Sequence, residues 1–261
     1  MNRRGLALWV LFFVFLSNPS AIFADPDEPS SPLLRQERKK IEPSGDLHPA
    51  DQKKQSGFRS GMPEYIPPLR GAPAGRVGGG TRGSGDGKVL LSVLAPDHVG
   101  LTAQKQPSLF WFLSTLTEYP AEFTLIEAQT VRPLVERRLE PLKKPGIQRI
   151  RLADYGLYLQ ENVLYQWFIT LIPDPQRRSK DILSGGLIRK TLPPGTGSET
   201  QGEEDMAKAV HSRAEAGLWY DAFTAACELI ERSPDNVLLR QMRASLLHQV
   251  GLDEVAARDL R

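Results

Sequence analysis

The residues best suited to chemistry lie in one glycine-rich stretch, Pro67-Pro68-Leu69-Arg70-Gly71-Ala72-Pro73-Ala74-Gly75-Arg76-Val77-Gly78-Gly79-Gly80-Thr81-Arg82-Gly83. Glycines let backbone N–H groups turn toward a negative charge, and Arg70, Arg76 and Arg82 add guanidinium donors. The stretch reads as a flexible lead-in to the first strand; the alternative is an anion or carboxylate contact. A Walker-type phosphate loop is excluded. Gly87-Lys88 is followed by Val89 rather than Ser or Thr, Arg82 occupies the first glycine position, and a strand rather than a helix follows. Gly83-Ser84-Gly85-Asp86-Gly87 lacks the spacing of a dinucleotide fingerprint.

Other chemistries fail on residue type or spacing. His48, His98, His211 and His248 are scattered without metal-ligand spacing, and no Gly-x-Ser-x-Gly elbow exists. Cys227, the one cysteine, cannot close an internal disulfide. Beside Ala225, Ala226 and Leu229 it reads as a small buried side chain of a helix. The acidic run Glu203-Glu204-Asp205 suits the positive end of a helix dipole. No catalytic, cofactor-binding or metal-binding residue is assigned, and the expectation is a protein that is not an enzyme. The open alternative is a pair of acids, distant in sequence, acting on a glycoside.

The amino terminus sets the compartment. Arg3 and Arg4 precede an apolar run from Leu6 to Leu16, Ser17-Asn18-Pro19-Ser20 breaks it, and Ala21-Ile22-Phe23-Ala24 offers a small residue for cleavage. Residues 1–24 read as a secretory signal peptide, because the apolar run is about half the roughly 20 residues a membrane span needs. A periplasmic or secreted protein with no stable transmembrane segment after cleavage is expected. Losing Arg3 and Arg4 leaves 31 basic residues against 31 acidic ones. Nucleic acid, which calls for a concentrated positive face, is not an expected partner.

Residues 25–87 are crowded with Pro, Gly, Ser and charge, and read as a disordered arm. Its run Arg35-Gln36-Glu37-Arg38-Lys39-Lys40 reads as solvated charge. From 88 to 191 the texture changes to short apolar or alternating runs. Strands are expected at Val89–Leu94, Ser108–Ser114, Ala121–Ala128, Leu134–Leu139, Ile147–Leu152, Val163–Ile172 and Ile182–Lys190, separated by proline and glycine turn formers. Seven short strands in about a hundred residues point to a sandwich of two antiparallel sheets. Leu159 stands six residues before Tyr165, as at the corner of immunoglobulin-like and fibronectin-III-like domains, where the tyrosine ties the turn to its strand. Alternation puts Tyr165, Trp167, Ile169 and Leu171 inside, facing Leu109, Trp111 and Leu113. Phe110, Phe112, Phe168 and Ile172 fall on the opposite phase and need a cover or a partner.

A linker at 192–200 leads to a helical segment, 201–261, with a capping-box spacing at Thr200 and Glu203. Gly217-Leu218 with Ala222 recurs as Gly251-Leu252 with Ala256, an offset of 34 residues, which is the tetratricopeptide period. The glycines permit tight turns between antiparallel helices, the alanines allow close approach, and Pro234 falls where such a repeat ends its second helix. The tail either docks over the phenylalanine face or recruits a partner's helices.

With these residues in hand, the chain resembles a bacterial family described only as domain of unknown function 928. The likeness rests on Arg70-Gly71-Ala72-Pro73 leading to Gly78-Gly79-Gly80-Thr81-Arg82-Gly83, on Phe110-Trp111-Phe112, on Tyr165-Gln166-Trp167 and on Gly217-Leu218-Trp219-Tyr220-Asp221-Ala222. It spans roughly residues 67–261 and implies one architecture without a mechanism to carry over. The expectation is mainly β: an immunoglobulin/fibronectin-III-like antiparallel sandwich with a small tetratricopeptide-like helical tail. Its expected role is a non-enzymatic interaction or adaptor module for an envelope protein, the alternative being an envelope glycan-binding or glycan-processing protein. Trp219 and Tyr220 are the expected contacts if packing leaves them accessible, followed by Arg70, Arg76 and Arg82.

Overall fold

Proline and glycine punctuation places the strands where the chain forms them. The computed structural model describes residues 61–68, 75–78, 80–81, 89–192 and 203–261, all within one unit, Gln52–Arg261. The expected signal peptide, Arg70, Arg82, Thr200 and most of the arm and linker lie outside the described residues.

The described strands are β1 (Val77–Gly78), β2 (Gly80–Thr81), β3 (Leu90–Val93), β4 (Gly100–Thr102), β5 (Ser108–Leu113), β6 (Ala121–Glu127), β7 (Val135–Arg138), β8 (Gly146–Arg151), β9 (Leu164–Leu171) and β10 (Ile182–Lys190). They form two mainly antiparallel sheets. One runs β1-β10-β9-β6-β7, with β4 parallel to the far end of β10; the other runs β2-β3-β5-β8. Each of the seven expected strands is present within a residue or two of its expected ends. β1, β2 and β4 are additional.

Alternation explains the core. Tyr165, Trp167, Ile169 and Leu171 of β9 are buried together with Leu109, Trp111 and Leu113 of β5. The Val93 N–H donates to Ser184 Oγ at 2.9 Å, tying the two sheets through a buried polar contact. At the corner before β9, Leu159 is buried and the Tyr165 hydroxyl accepts the Gln160 N–H at 3.0 Å.

β5 is buried on both faces because helices cover its outer one. Four helices end the described chain: α1 (Glu203–Glu215), α2 (Trp219–Arg232), α3 (Val237–Gln249) and α4 (Asp253–Asp259). α2 packs on β4 and β5, and the Phe110 ring meets Phe223 edge-on at 5.2 Å. The tail therefore docks on the sheet. Burying a phenylalanine there is worth roughly 1.5–3 kcal/mol over leaving it in water. Phe168 departs from the expected patch: it belongs to β9, in the other sheet, where its ring lies across Gly185. A Cβ at Gly185 would stand 2.4 Å from that ring.

The two glycine turns share a pair of backbone bonds. Gly217 and Gly251 have φ of 73° and 69°, left-handed values that glycine adopts without strain. Gly217 N–H bonds Ala214 C=O and Leu218 N–H bonds Arg213 C=O. Thirty-four residues later Gly251 N–H bonds His248 C=O and Leu252 N–H bonds Leu247 C=O. Such paired bonds close helix ends by satisfying their last carbonyls.

Part of the segment expected as an arm is described. Residues 61–68 and 75–78 are part of the fold: Tyr65 is buried, its N–H donates to Gln249 Oε1 at 2.7 Å, and Ile66 N–H reaches Ala214 C=O at 3.1 Å. One aromatic ring with satisfied backbone donors anchors a segment that has no periodic apolar pattern.

Candidate functional site

The singled-out residues that the structure describes converge where α2 begins. Trp219 and Tyr220 are 0% and 1% exposed, so packing takes both expected contacts off the surface. The Trp219 indole N–H donates to Leu94 C=O at 3.1 Å, and its ring packs edge-on to Tyr65 and stacks with Phe223. The Tyr220 hydroxyl accepts the Trp167 indole N–H at 3.0 Å and donates to Leu187 C=O at 2.9 Å. Gly100 makes room for this ring, since a Cβ there would lie 2.6 Å from it.

Asp221, the next residue, is also buried. Its carboxylate accepts the Thr102 hydroxyl at 3.2 Å and the Ala103 N–H at 2.9 Å. Burial raises its carboxyl above the usual value, while these two donors pull it back. Three successive residues of one helical turn thus fasten the tail to both sheets.

Arg76 donates to three backbone carbonyls. One terminal nitrogen donates to Ala95 C=O at 3.1 Å and Val250 C=O at 3.3 Å, the other to Gly251 C=O at 3.2 Å. Two of these acceptors follow α3, where a cation meets the negative end of the helix dipole. Desolvation lowers the guanidinium and nearby Asp97 raises it.

Alongside runs a chain that residue types alone did not reveal. The Tyr65 hydroxyl lies 2.9 Å from His98 Nε2, and His98 Nδ1 lies 3.0 Å from Asp97 Oδ1. With the ring proton on Nδ1, His98 donates to Asp97 and accepts from Tyr65. An acid, imidazole and hydroxyl in line is the order of a proton relay. The terminal hydroxyl, however, is a phenol packed on Trp219, and burial pushes its ionisation upward, so it acts as a fastener. Among the described residues no group of three or more His, Cys, Asp and Glu side chains could hold a metal ion.

With this junction closed, an accessible feature among the described residues is the edge strand β7. It ends its sheet, and among the described residues no strand pairs with its outer side. Leu139 N–H bonds Ala121 C=O at 2.8 Å, so antiparallel alternation turns the backbone groups of Glu136 and Arg138 away from β6. Val131 is 93% exposed and Leu134 half exposed beside this edge. The sequence signal was the run 132–144, which carries Arg132, Arg137, Arg138, Lys143 and Lys144 against Glu136 and Glu140.

The family described as Domain of Unknown Function (DUF928) matches residues 77–260. No curated protein and no solved structure matches the chain.

Proposed function

The chain belongs to the DUF928 family, and we propose that it is an exported, non-enzymatic interaction module of the cell envelope that takes an extended acidic segment of a partner protein along β7. The free edge carries this reading. Unpaired strand groups accept another strand through main-chain hydrogen bonds, and flanking side chains choose which strand. Arg137 and Arg138 oppose pairing with a second copy of the same edge, because like charges would face each other. The same charges favour an acidic strand, and Val131 and Leu134 offer apolar contact beside it.

The finer architecture belongs to the same proposal. The Tyr165 corner and the two sheets support an immunoglobulin/fibronectin-III-like sandwich, and the repeated 34-residue turn geometry supports a tetratricopeptide-like tail. Arg3, Arg4 and the apolar run that follows support export. The closed junction at Trp219 and Tyr220 directs recognition to the β7 edge in place of the helix start.

The test is photo-crosslinking in the envelope, with the reactive side chain at Val131 or, as the competing surface, at exposed Val237 on α3. A partner crosslinked from Val131 and lost on Glu136→Pro is expected. That substitution deletes an outward N–H and leaves the ladder to β6 intact. A partner captured from Val237 alone, or insensitive to Glu136→Pro, refutes the edge and returns recruitment to the helices.

A further inference from the structure

A second surface feature is built more firmly than its loop location implies. The segment leading into β9 is held at three backbone points. Leu159 N–H donates to Lys105 C=O at 2.8 Å, Gln160 N–H to the Tyr165 hydroxyl at 3.0 Å, and Asn162 N–H to Lys190 C=O at 2.9 Å. Asn162 has a φ of 60°, a left-handed conformation that asparagine tolerates better than most residues. Leu159 points into the core and its neighbours Tyr158 and Gln160 stay exposed.

These residues, with Lys105, Glu161 and Lys190, line an open cleft of about 370 Å³. That volume lies at the lower end of small-ligand sites, which span roughly 300–1,000 Å³. Lys190 sits one alternation step beyond Ile188, on the inward phase of β10, and its side chain is only 10% exposed. A lysine whose stem is set this deeply is stabilised by an anion near its ammonium. Its ion-pair partner among the described residues is Glu161 at 3.9 Å, beyond hydrogen-bond length, and that acid is 42% exposed. Lys105 adds a second cation to the lining, and Tyr158, 59% exposed, presents an aromatic wall.

We infer that this cleft binds an acidic saccharide: a sugar carboxylate seated by Lys190 and Lys105, the ring against Tyr158, and sugar hydroxyls on Gln160 and Glu161. Lysine, a compact point charge, suits a single carboxylate oxygen. An exposed tyrosine offers a flat apolar surface with a polar tip, which matches a sugar ring. The site lies on the β4–β5 and pre-β9 loops and is independent of the proposed β7 edge.

Calorimetric titration of the full chain tests it with three probes: trigalacturonate, the neutral trisaccharide maltotriose, and inorganic phosphate. Saturable binding of trigalacturonate is expected, with maltotriose and phosphate each at least about tenfold weaker. Tyr158→Ala and Lys190→Gln should each weaken trigalacturonate by roughly tenfold or more, as loss of a charge-assisted contact does. Lys105→Ala, at an exposed position, serves if the Lys190 variant does not fold. Absence of trigalacturonate binding, binding unchanged in the variants, equal affinity for maltotriose, or phosphate binding as tight as trigalacturonate would each overturn the assignment. Crosslinking from Val131 reports on the edge separately.

Discussion

Tyr220→Phe removes one oxygen from the centre of the junction and leaves the ring in place. That oxygen accepts the Trp167 indole N–H at 3.0 Å and donates to Leu187 C=O at 2.9 Å. Tyr220 and Trp167 are both essentially inaccessible to water. The indole N–H can only donate, so the substitution strands a buried donor, at roughly 1–3 kcal/mol. Loss of the bond to Leu187 adds about 1 kcal/mol. The sum, about 2–4 kcal/mol, is a large part of the 5–15 kcal/mol that typically holds a domain folded. For a domain of this size it corresponds to a fall in Tm of roughly 5–15 °C. Urea unfolding and scanning calorimetry of the two proteins measure it, with an unchanged m value expected because no new surface is exposed. Tyr158→Phe, at an exposed tyrosine, serves as the control and should stay within about 0.5 kcal/mol of the parent. A loss below about 1 kcal/mol for Tyr220→Phe would refute the reasoning, since it would mean that the Trp167 donor finds another acceptor and that the hydroxyl is no fastener.

Two further outcomes follow from the same junction and its helices. Burial raises the Asp221 carboxyl above its ordinary 3.8, so the folded state holds that proton more tightly than the unfolded state does. The resulting stabilisation is complete below 3.8 and is lost as pH rises through the folded value. Asp221→Asn should therefore flatten the decline of stability over that window, as followed by urea midpoints against pH; parallel curves for the two proteins would exclude the effect. The Cys227 thiol is buried and pushed up to about 11, with Arg243 beside it pulling the other way. Reaction with a thiol reagent at pH 8 should keep pace with unfolding, whereas rapid labelling of the native protein would show the cysteine to be open to solvent.

Part of this molecule was legible because its signals are local. Proline and glycine stop strands by their own backbone geometry, so all seven expected strands appear where Pro96, Pro120, Pro145-Gly146 and Pro173 leave room for them. Period-two alternation assigned Trp167, Ile169 and Leu171 to the interior, and the spacing of Leu159 to Tyr165 anticipated the hydroxyl that holds Gln160. Gly217 and Gly251 marked two turns of the same geometry, since a left-handed residue must be tolerated at each.

What stayed hidden depends on partners far along the chain. β4 has three residues and no readable period; it exists because β10 offers a parallel edge about ninety positions later. Tyr65 sits in a stretch of prolines and glycines, and only Trp219, His98 and Gln249, supplied by distant segments, make its burial favourable. Phe168 shares its alternation phase with Phe110 in sequence terms, yet the two lie on different sheets. Trp219 and Tyr220 are the sharpest case. Adjacent residues on a helix point about 100° apart, so a helix lying on a flat surface would expose one of them. Both are buried because the start of α2 enters a space walled by β10, the loop after β3 and the Tyr65 segment together, so that the two residues that sequence alone offers as contacts if packing leaves them accessible become, in three dimensions, the fastening of the fold.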